Sequence, residues 1–243
     1  MTNIQFSDIN KFVRGNYSHL ILFGSYSRGD YETKSDIDIL QITDTRFKSY
    51  SVNHINFSVY TLSRLNEMCL DGSLFLLHII KESKVLFGDS DILNNWNKIF
   101  PYKKDYTQYK NEIINTSKLL DVNEEVYLEN WKGFNSLLCY LFRSYLYASL
   151  VGEKDFSFST KYLADKINDL NIINALNLKK ERSANYELYC FAKQQFEYYS
   201  NIKFTNADNS SLDLIQKIKF YSKLPEDLSR FFLNPTNKES SDY

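Results

Sequence analysis

The run Gly24–Asp38, with the sequence GSYSRGDYETKSDID, constrains this chain more than any other segment. It follows the continuous apolar stretch Leu20–Phe23, which predicts a buried strand that ends in a tight glycine turn. Ser25 is expected to be the N-cap of a short helix over Tyr26–Asp30, so that its hydroxyl and the exposed amides converge on a polyphosphate. Arg28 adds a planar positive group beside them.

Two carboxylates close the run. Asp36 and Asp38 open the segment Asp36–Ile42, where polar and apolar residues alternate as in a strand with one open face. Both carboxylates are then expected on that face, where they repel each other unless a cation lies between them. A glycine–serine turn often binds nothing, and an Asp-x-Asp alternation is often a solvated strand face. The order of the parts nevertheless points to nucleotide chemistry with Mg²⁺ or Mn²⁺.

This order resembles the nucleotidyltransferase superfamily that includes DNA polymerase beta, and within it the small bacterial minimal and aminoglycoside nucleotidyltransferases. The resemblance lies in G-S-x-x-R-G followed by S-D-x-D, and it continues to about Asp89 through predicted strands at 54–60 and 84–88 and helices that open at Thr61 and Gly72. It implies that the glycine and serine hold the β- and γ-phosphates. The residues to which it assigns roles are Gly24, Ser25, Arg28 and Ser35 for the nucleotide, and Asp36 and Asp38 for catalysis and the metal ions.

The chain departs from that family at one position. Catalytic members usually carry a third carboxylate on the strand after the Asp-x-Asp strand, where it helps to hold the metal that activates the attacking hydroxyl. Alternation places that third-carboxylate position at Asn56, and no acid occurs between residues 46 and 66. Asp44 would lie about 20 Å away along the strand, whereas Glu67 and Glu32 remain candidate donors. We therefore expect the nucleotide-bound metal to be kept better than the hydroxyl-bound metal.

Composition limits the classes of protein to which the chain can belong. A hydrophobic content of 43% with 24% charged residues is typical of a globular protein. A net charge of -1 and a pI near 6.3 argue against a nonspecific nucleic-acid binder. Neither a signal peptide nor an apolar span is evident, so no membrane association and a cytoplasmic location are expected. The spacing of Cys69, Cys139 and Cys190 predicts buried thiols, not disulfides or a zinc site.

The pattern along the chain predicts an α+β protein. An N-terminal nucleotidyltransferase domain over residues 1–101, a mixed sheet flanked by helices, is expected to precede an α-helical bundle over 102–234 and a disordered tail over 235–243. Pro101 and the polar residues after it mark the boundary between the two domains.

The clearest predicted helix runs from Asn130 to Val151, where apolar residues recur at helical spacing until Gly152. Arg143 lies in its middle, and two interpretations stay open: a buried, paired arginine that fixes the bundle, or a residue that faces the nucleotide. The region 143–159 is similar to the helical domain that accompanies small nucleotidyltransferases. Further helices are predicted over residues 7–15, 105–120, 159–170, 185–200 and 209–222.

Two hypotheses for function follow. The first is a metal-dependent enzyme that moves a nucleoside monophosphate from an NTP, with ATP favoured, onto a hydroxyl of a protein, an RNA such as tRNA, or a small molecule. By analogy, its setting would be bacterial defence, antiviral or toxin–antitoxin. The alternative is a catalytically weakened nucleotide-binding sensor or scaffold, which Asn56 motivates. A homodimer and a complex with a partner protein both stay open.

Overall fold

The computed structural model describes residues 6–33, 35–45, 48–103, 105–153 and 156–204, which divide into two compact units. In the first unit, Ser157–Ser159 join the described residues up to 103; the second comprises 105–156 and 160–204. The domain limits predicted at residues 101 and 234 stay predictions. The helix predicted over 209–222 and the tail from residue 235 lie outside the described residues.

The first unit is a five-stranded mixed sheet flanked by helices, in the order β3-β4-β2-β1-β5. β2 and β4 are parallel, and the other neighbouring strands are antiparallel. The α+β prediction is therefore confirmed for this part of the chain. The elements in chain order are α1 (Phe6–Asn10), β1 (His19–Phe23), α2 (Gly24–Arg28), β2 (Ile37–Thr43), β3 (Tyr50–Val52), β4 (Ile55–Thr61), α3 (Leu62–Leu70), α4 (Leu74–Glu82), β5 (Lys84–Phe87) and α5 (Ile92–Ile99).

The central strand β2 is covered on both faces, unlike the strand with one open face that alternation predicted. Ile39 belongs to a core cluster that includes Ile9 of α1, so this face packs against the opening helix. On the opposite face Leu40 and Ile42 are also buried, and only Asp38 at the start of that row is half-exposed. The open part of the face is thus confined to the end of β2 that carries the carboxylate.

A short edge strand, β3, was not predicted from sequence. Its three residues precede a turn at Asn53, whose positive φ of 56° suits an asparagine. The Tyr50 ring stacks on Phe57 with centroids 4.6 Å apart, and its hydroxyl donates to the fully buried Gln41. Gln41 in turn donates to the carbonyl of Arg14, so its amide is satisfied within the core.

The predicted helices of the first unit differ from the observed ones mainly at their ends. α3 begins where expected, because the Thr61 hydroxyl accepts a hydrogen bond from the Arg64 amide as an N-cap. α1 ends at Asn10, before the glycine that was expected to close it at Gly15. β5 lies where a strand was predicted over 84–88, and it forms an edge of the sheet beside β1.

The second unit is helical over its described residues. Its long central helix is lined by buried residues on most sides, and Arg143 is half-buried within it, so both interpretations of that residue stay open. Cys139 is buried, as is Cys69 in the first unit, but Cys190 is partly exposed, contrary to expectation. The helices are α6 (Thr107–Ser117), α7 (Glu124–Glu129), α8 (Trp131–Leu150), α9 (Thr160–Ile167), α10 (Asn171–Leu176) and α11 (Tyr186–Ser200), with short 3-10 turns at Lys118–Leu120 and Asn177–Lys180.

Among the helices formed by described residues, none has both the length and the apolar content that crossing a bilayer requires.

Candidate nucleotide site

The glycine turn and the second aspartate meet at the end of β1. Phe23, the last residue of β1, pairs with Asp38 of β2, and α2 begins at the next residue, Gly24. Gly24 has a φ of 72°, and a Cβ atom built there would lie 2.7 Å from Asp38 Oδ2. Any side chain would clash with this carboxylate, so glycine lets the turn backbone lie directly against it.

The helix after the turn starts earlier than predicted. α2 spans Gly24–Arg28, and the Phe23 side chain at its N-cap position makes no capping hydrogen bond. Ser25 is therefore not the N-cap but a half-buried residue of the first turn. The helix ends at Gly29, which adopts a left-handed φ of 85° and donates its amide to the Ser25 carbonyl. The whole turn and helix thus fit between two glycines with positive φ.

The two aspartates occupy different local structures. Asp38 is the second residue of β2 and is half-exposed, whereas Asp36 lies just before the strand and is also half-exposed. The expected shared face of their carboxylates stays a prediction, because Asp36 is outside the strand pairing. Ser35 supports the loop that leads to them: its hydroxyl accepts a hydrogen bond from the Glu32 amide at 2.8 Å, and its own amide donates to the Glu32 carbonyl.

Asn56 lies beside Asp38 in the neighbouring strand. The parallel register of β2 and β4 pairs these two residues directly, and Asn56 Nδ2 donates to Asp38 Oδ1 at 3.3 Å. Asn56 Oδ1 accepts a hydrogen bond from the Ser51 hydroxyl at 2.8 Å. Both ends of the amide are thereby used, and its donor end faces the carboxylate.

Arg28 is engaged by two carboxylates. Its Nε donates to Asp30 at 3.1 and 3.2 Å, and its Nη1 donates to Glu82 Oε2 at 3.0 Å. The burial of Arg28 opposes its charge, but the contacts with Asp30 and Glu82 outweigh that effect and raise its pKa above the ordinary value. Arg28, which was predicted to bind the nucleotide, is thus held in ion pairs within the protein.

The family assignment rests on residues 5–127, which match the nucleotidyltransferase domain family over just over half of the chain. The chain belongs to the nucleotidyltransferase domain family. The match runs well past Asp89, where the motif-based resemblance was expected to end.

Relatives of this nucleotidyltransferase chain resemble it over a short segment. It is 59% identical over 34 residues to "Putative protein adenylyltransferase MJ0604" and 48% identical over 33 residues to "Putative protein adenylyltransferase MJ0141", both of Methanocaldococcus jannaschii. Each match covers 14% of this chain and only 34% or 33% of the relative. The family and the names of these relatives support a transferase.

A solved structure of a nucleotidyltransferase-like protein from Exiguobacterium sibiricum is 11% identical to this chain. The two superpose with a TM-score of 0.32 over 80% of this chain and 72% of the other.

The donor set of this nucleotidyltransferase fits one metal ion better than two. Mg²⁺ is usually held by one or two carboxylates together with substrate phosphates, which the Asp38 carboxylate beside the glycine turn, joined by Asp36, would supply. Among the described residues, no group of three or more His, Cys, Asp or Glu side chains is placed to hold an ion. Glu67, a candidate third donor, instead pairs with Arg64 on the exposed face of α3 at 3.0 Å.

Two residues of this site were missed by the sequence analysis. Glu82, the last residue of α4, binds Arg28, and its Oε1 accepts a hydrogen bond from the Phe158 amide at 2.8 Å. His78, one turn earlier, places Nε2 3.4 Å from both Arg28 Nη1 and Glu82 Oε2. The available signal was their i, i+4 spacing, which places two polar side chains on one face of a mainly apolar helix.

Proposed function

We propose that this protein transfers a nucleoside monophosphate from an NTP, most simply ATP, onto a hydroxyl group. The observation that carries the proposal is the contact between the Gly24 backbone and the Asp38 carboxylate. It brings a turn that can accept phosphate next to a hard oxygen ligand, so a metal-bound triphosphate would be held from both sides.

The reaction would form one bond and break one. The acceptor oxygen attacks the α-phosphorus of the NTP, the new phosphorus–oxygen bond forms, and the bond to the bridging oxygen breaks, so that pyrophosphate leaves. When bound, Mg²⁺ or Mn²⁺ neutralises the phosphate oxygens. Asp36 and Asp38 would hold that ion, while the turn at Gly24 and Ser25 would orient the phosphates. Asn56 cannot accept the hydroxyl proton, so the proton would leave to water.

A protein is the favoured acceptor among the three classes that the sequence left open. This choice rests on the printed names of the two short matches, which are protein adenylyltransferases. RNA ends and small molecules with hydroxyl groups are the other outcomes of the test. A setting in bacterial defence or in a toxin–antitoxin pair belongs to the same proposal.

The second candidate function is a nucleotide sensor or scaffold without turnover. It is favoured by the Asn56 amide, which donates to Asp38 at the position where a third carboxylate was expected. Such a protein would bind Mg-ATP through the same turn and aspartate, but nothing would activate an acceptor hydroxyl.

One labelling experiment separates these functions. The purified protein is mixed with Mg²⁺ or Mn²⁺, an NTP labelled at the α-phosphate, and cell extract, and the label is followed into protein, RNA and small molecules. We expect label in protein, and its loss in Asp38→Asn but not in Asp44→Asn, which changes an exposed aspartate just beyond β2. No label alongside measurable Mg-ATP binding would favour the sensor. Equal ATP binding by the parent and Asp38→Asn would contradict both functions.

A further inference from the structure

A partly buried ion-pair cluster of Arg28, Asp30, His78 and Glu82 joins α4 to α2, the helix that begins at the glycine turn Gly24–Ser25, which we call the nucleotide turn. Glu82 is the most enclosed of its ion-paired members, with only 10% of its side chain exposed, compared with 17% for Arg28 and 37% for Asp30. Because a buried carboxylate is costly unless it is well paired, its position calls for several partners. Arg28, His78 and the Phe158 amide supply them.

We propose that Glu82 is a positioning residue for nucleotide binding, which fixes the Arg28 guanidinium so that its unused donors can meet the triphosphate. This inference rests on the proposed function. The proposal adds a residue of α4 to the nucleotide-binding residues that the sequence motifs identify.

The hydrogen bonds of Arg28 show what this positioning would achieve. A guanidinium carries five N–H donors in a fixed plane. Asp30 occupies Nε and Glu82 occupies Nη1, whereas Nη2 takes part in no hydrogen bond within the described part of the chain. Two carboxylates thus fix the plane of the group and leave one nitrogen for an incoming anion.

Aromatic contacts hold the α4 side of the cluster in place. The His78 ring stacks on Phe158 with centroids 4.6 Å apart and meets Phe23 edge-on at 5.7 Å. Phe23 is the residue directly before Gly24, so His78 contacts the start of the nucleotide turn itself. An unprotonated His78 Nε2 accepts from Arg28, and a protonated one donates to Glu82. In either form, the hydrogen bond from Arg28 to Glu82 keeps α4 linked to α2.

The charge of Glu82 has a second effect that opposes the first. A carboxylate near a triphosphate repels it, so Glu82 would weaken nucleotide binding if its charge mattered more than its hold on Arg28. The two effects predict opposite results when the charge is removed, and this makes the proposal testable with one substitution.

Glu82→Gln is the decisive variant. Its amide oxygen can still accept from the Phe158 amide, whereas its NH₂ group would face the donors of Arg28 and break that contact. We expect the Kd for Mg-ATP to rise about tenfold, the size of one charge-assisted hydrogen bond. The Kd for AMP, which lacks the β- and γ-phosphates, should change less than twofold, and Glu82→Asp should recover part of the ATP affinity. The control is Glu67→Gln, which removes one partner of an exposed ion pair on α3.

A double-mutant cycle separates positioning from a general loss of folding. In an Arg28→Gln background, Glu82→Gln should change the Kd for Mg-ATP less than twofold, because the group through which it acts is gone. Equal or tighter ATP binding by Glu82→Gln would overturn the proposal, as would a parallel loss of AMP affinity or an undiminished effect in the Arg28→Gln background. If the parent protein bound no Mg-ATP at all, the proposed function and this inference would both fall. If the parent bound ATP and only the Glu82 results failed, the proposed function would stand.

Discussion

At the scale of single residues, Gly24 meets two demands that no other residue type meets together. Its φ of 72° lies in the left-handed region, and its missing side chain leaves room for Asp38 Oδ2. Gly29 shares the first demand, with a φ of 85°, but among the described residues no contact lies within 4 Å of the position that its Cβ would occupy. Substituting each glycine in turn therefore distinguishes the effect of backbone strain from the effect of a clash with the Asp38 carboxylate.

We predict that Gly24→Ala abolishes Mg-ATP binding, whereas Gly29→Ala largely keeps it. Both variants should lose about 1 to 3 kcal/mol of unfolding free energy through left-handed strain. Only the first also displaces the Asp38 carboxylate. Urea unfolding and nucleotide titration of both variants test this, and comparable nucleotide affinities in the two variants would show that Asp38 does not need its present position.

A second prediction at this scale concerns the Asn56 amide. In Asn56→Asp, a carboxylate replaces the group that donates to Asp38, so two negative charges face each other across β2 and β4. We expect the thermal midpoint to fall in EDTA and to recover with Mg²⁺ or Mn²⁺, and the transfer rate to rise with the metal. If the thermal midpoint did not depend on the metal, or if the transfer rate stayed unchanged, another residue would complete the site.

At the scale of elements, α4 contributes the polar partners of the nucleotide turn although its sequence is mainly apolar. Burial alone would raise the pKa of Glu82, but hydrogen bonds from His78, the Phe158 amide and Ser157 outweigh it and lower the pKa to about 2. The Glu82 carboxylate at the end of α4 is therefore negatively charged at any pH at which the protein would work.

Acid unfolding should report this lowered pKa. The folded value of about 2 lies below the ordinary value of 4.5, so the stabilisation by Glu82 is complete above pH 4.5 and is lost as the pH falls towards 2. We expect the unfolding free energy of the parent to fall more steeply over that interval than that of Glu82→Gln. Denaturant titrations at several pH values measure both slopes; equal slopes would mean that Glu82 has no lowered pKa.

At the scale of the whole molecule, the first unit assembles its site from segments that are distant in the chain. Gly24 begins α2 directly after β1, Asp38 lies on the adjacent strand β2, Asn56 lies on β4, and Glu82 ends the later helix α4. A ligand that binds across these segments stabilises the folded state of the unit as a whole, because the unfolded chain offers no such site.

Mg-ATP at about one hundred times its Kd should therefore add about 2.7 kcal/mol to the unfolding free energy. In a protein of this size we expect the thermal midpoint of the transition that includes the first unit to rise by about 5 to 10 °C. Calorimetry with Mg-ATP, with ATP in EDTA, and with Asp38→Asn gives the comparison. An equal rise of the thermal midpoint in Asp38→Asn would mean that the nucleotide binds at another site.

The candidate site could be predicted from sequence where local pattern decides the structure. The apolar run before Gly24 and the threonine cap before α3 depend on neighbouring residues, and both elements lie where they were expected. The start of α2 could not be predicted, because a glycine begins the helix and the residue at its N-cap position, Phe23, makes no capping hydrogen bond. β2 has two buried faces, which follows from its neighbours in the sheet and not from its own alternation.

The sequence by itself determined the strand, the turn and the family, because each depends on residue types at short, fixed spacing. Only the tertiary structure decided which end of the Asn56 amide faces Asp38, and that Glu82 holds Arg28. These contacts join residues far apart in the chain. The physical reason is that register and helix placement are set by how the whole sheet packs, and local pattern does not carry that information.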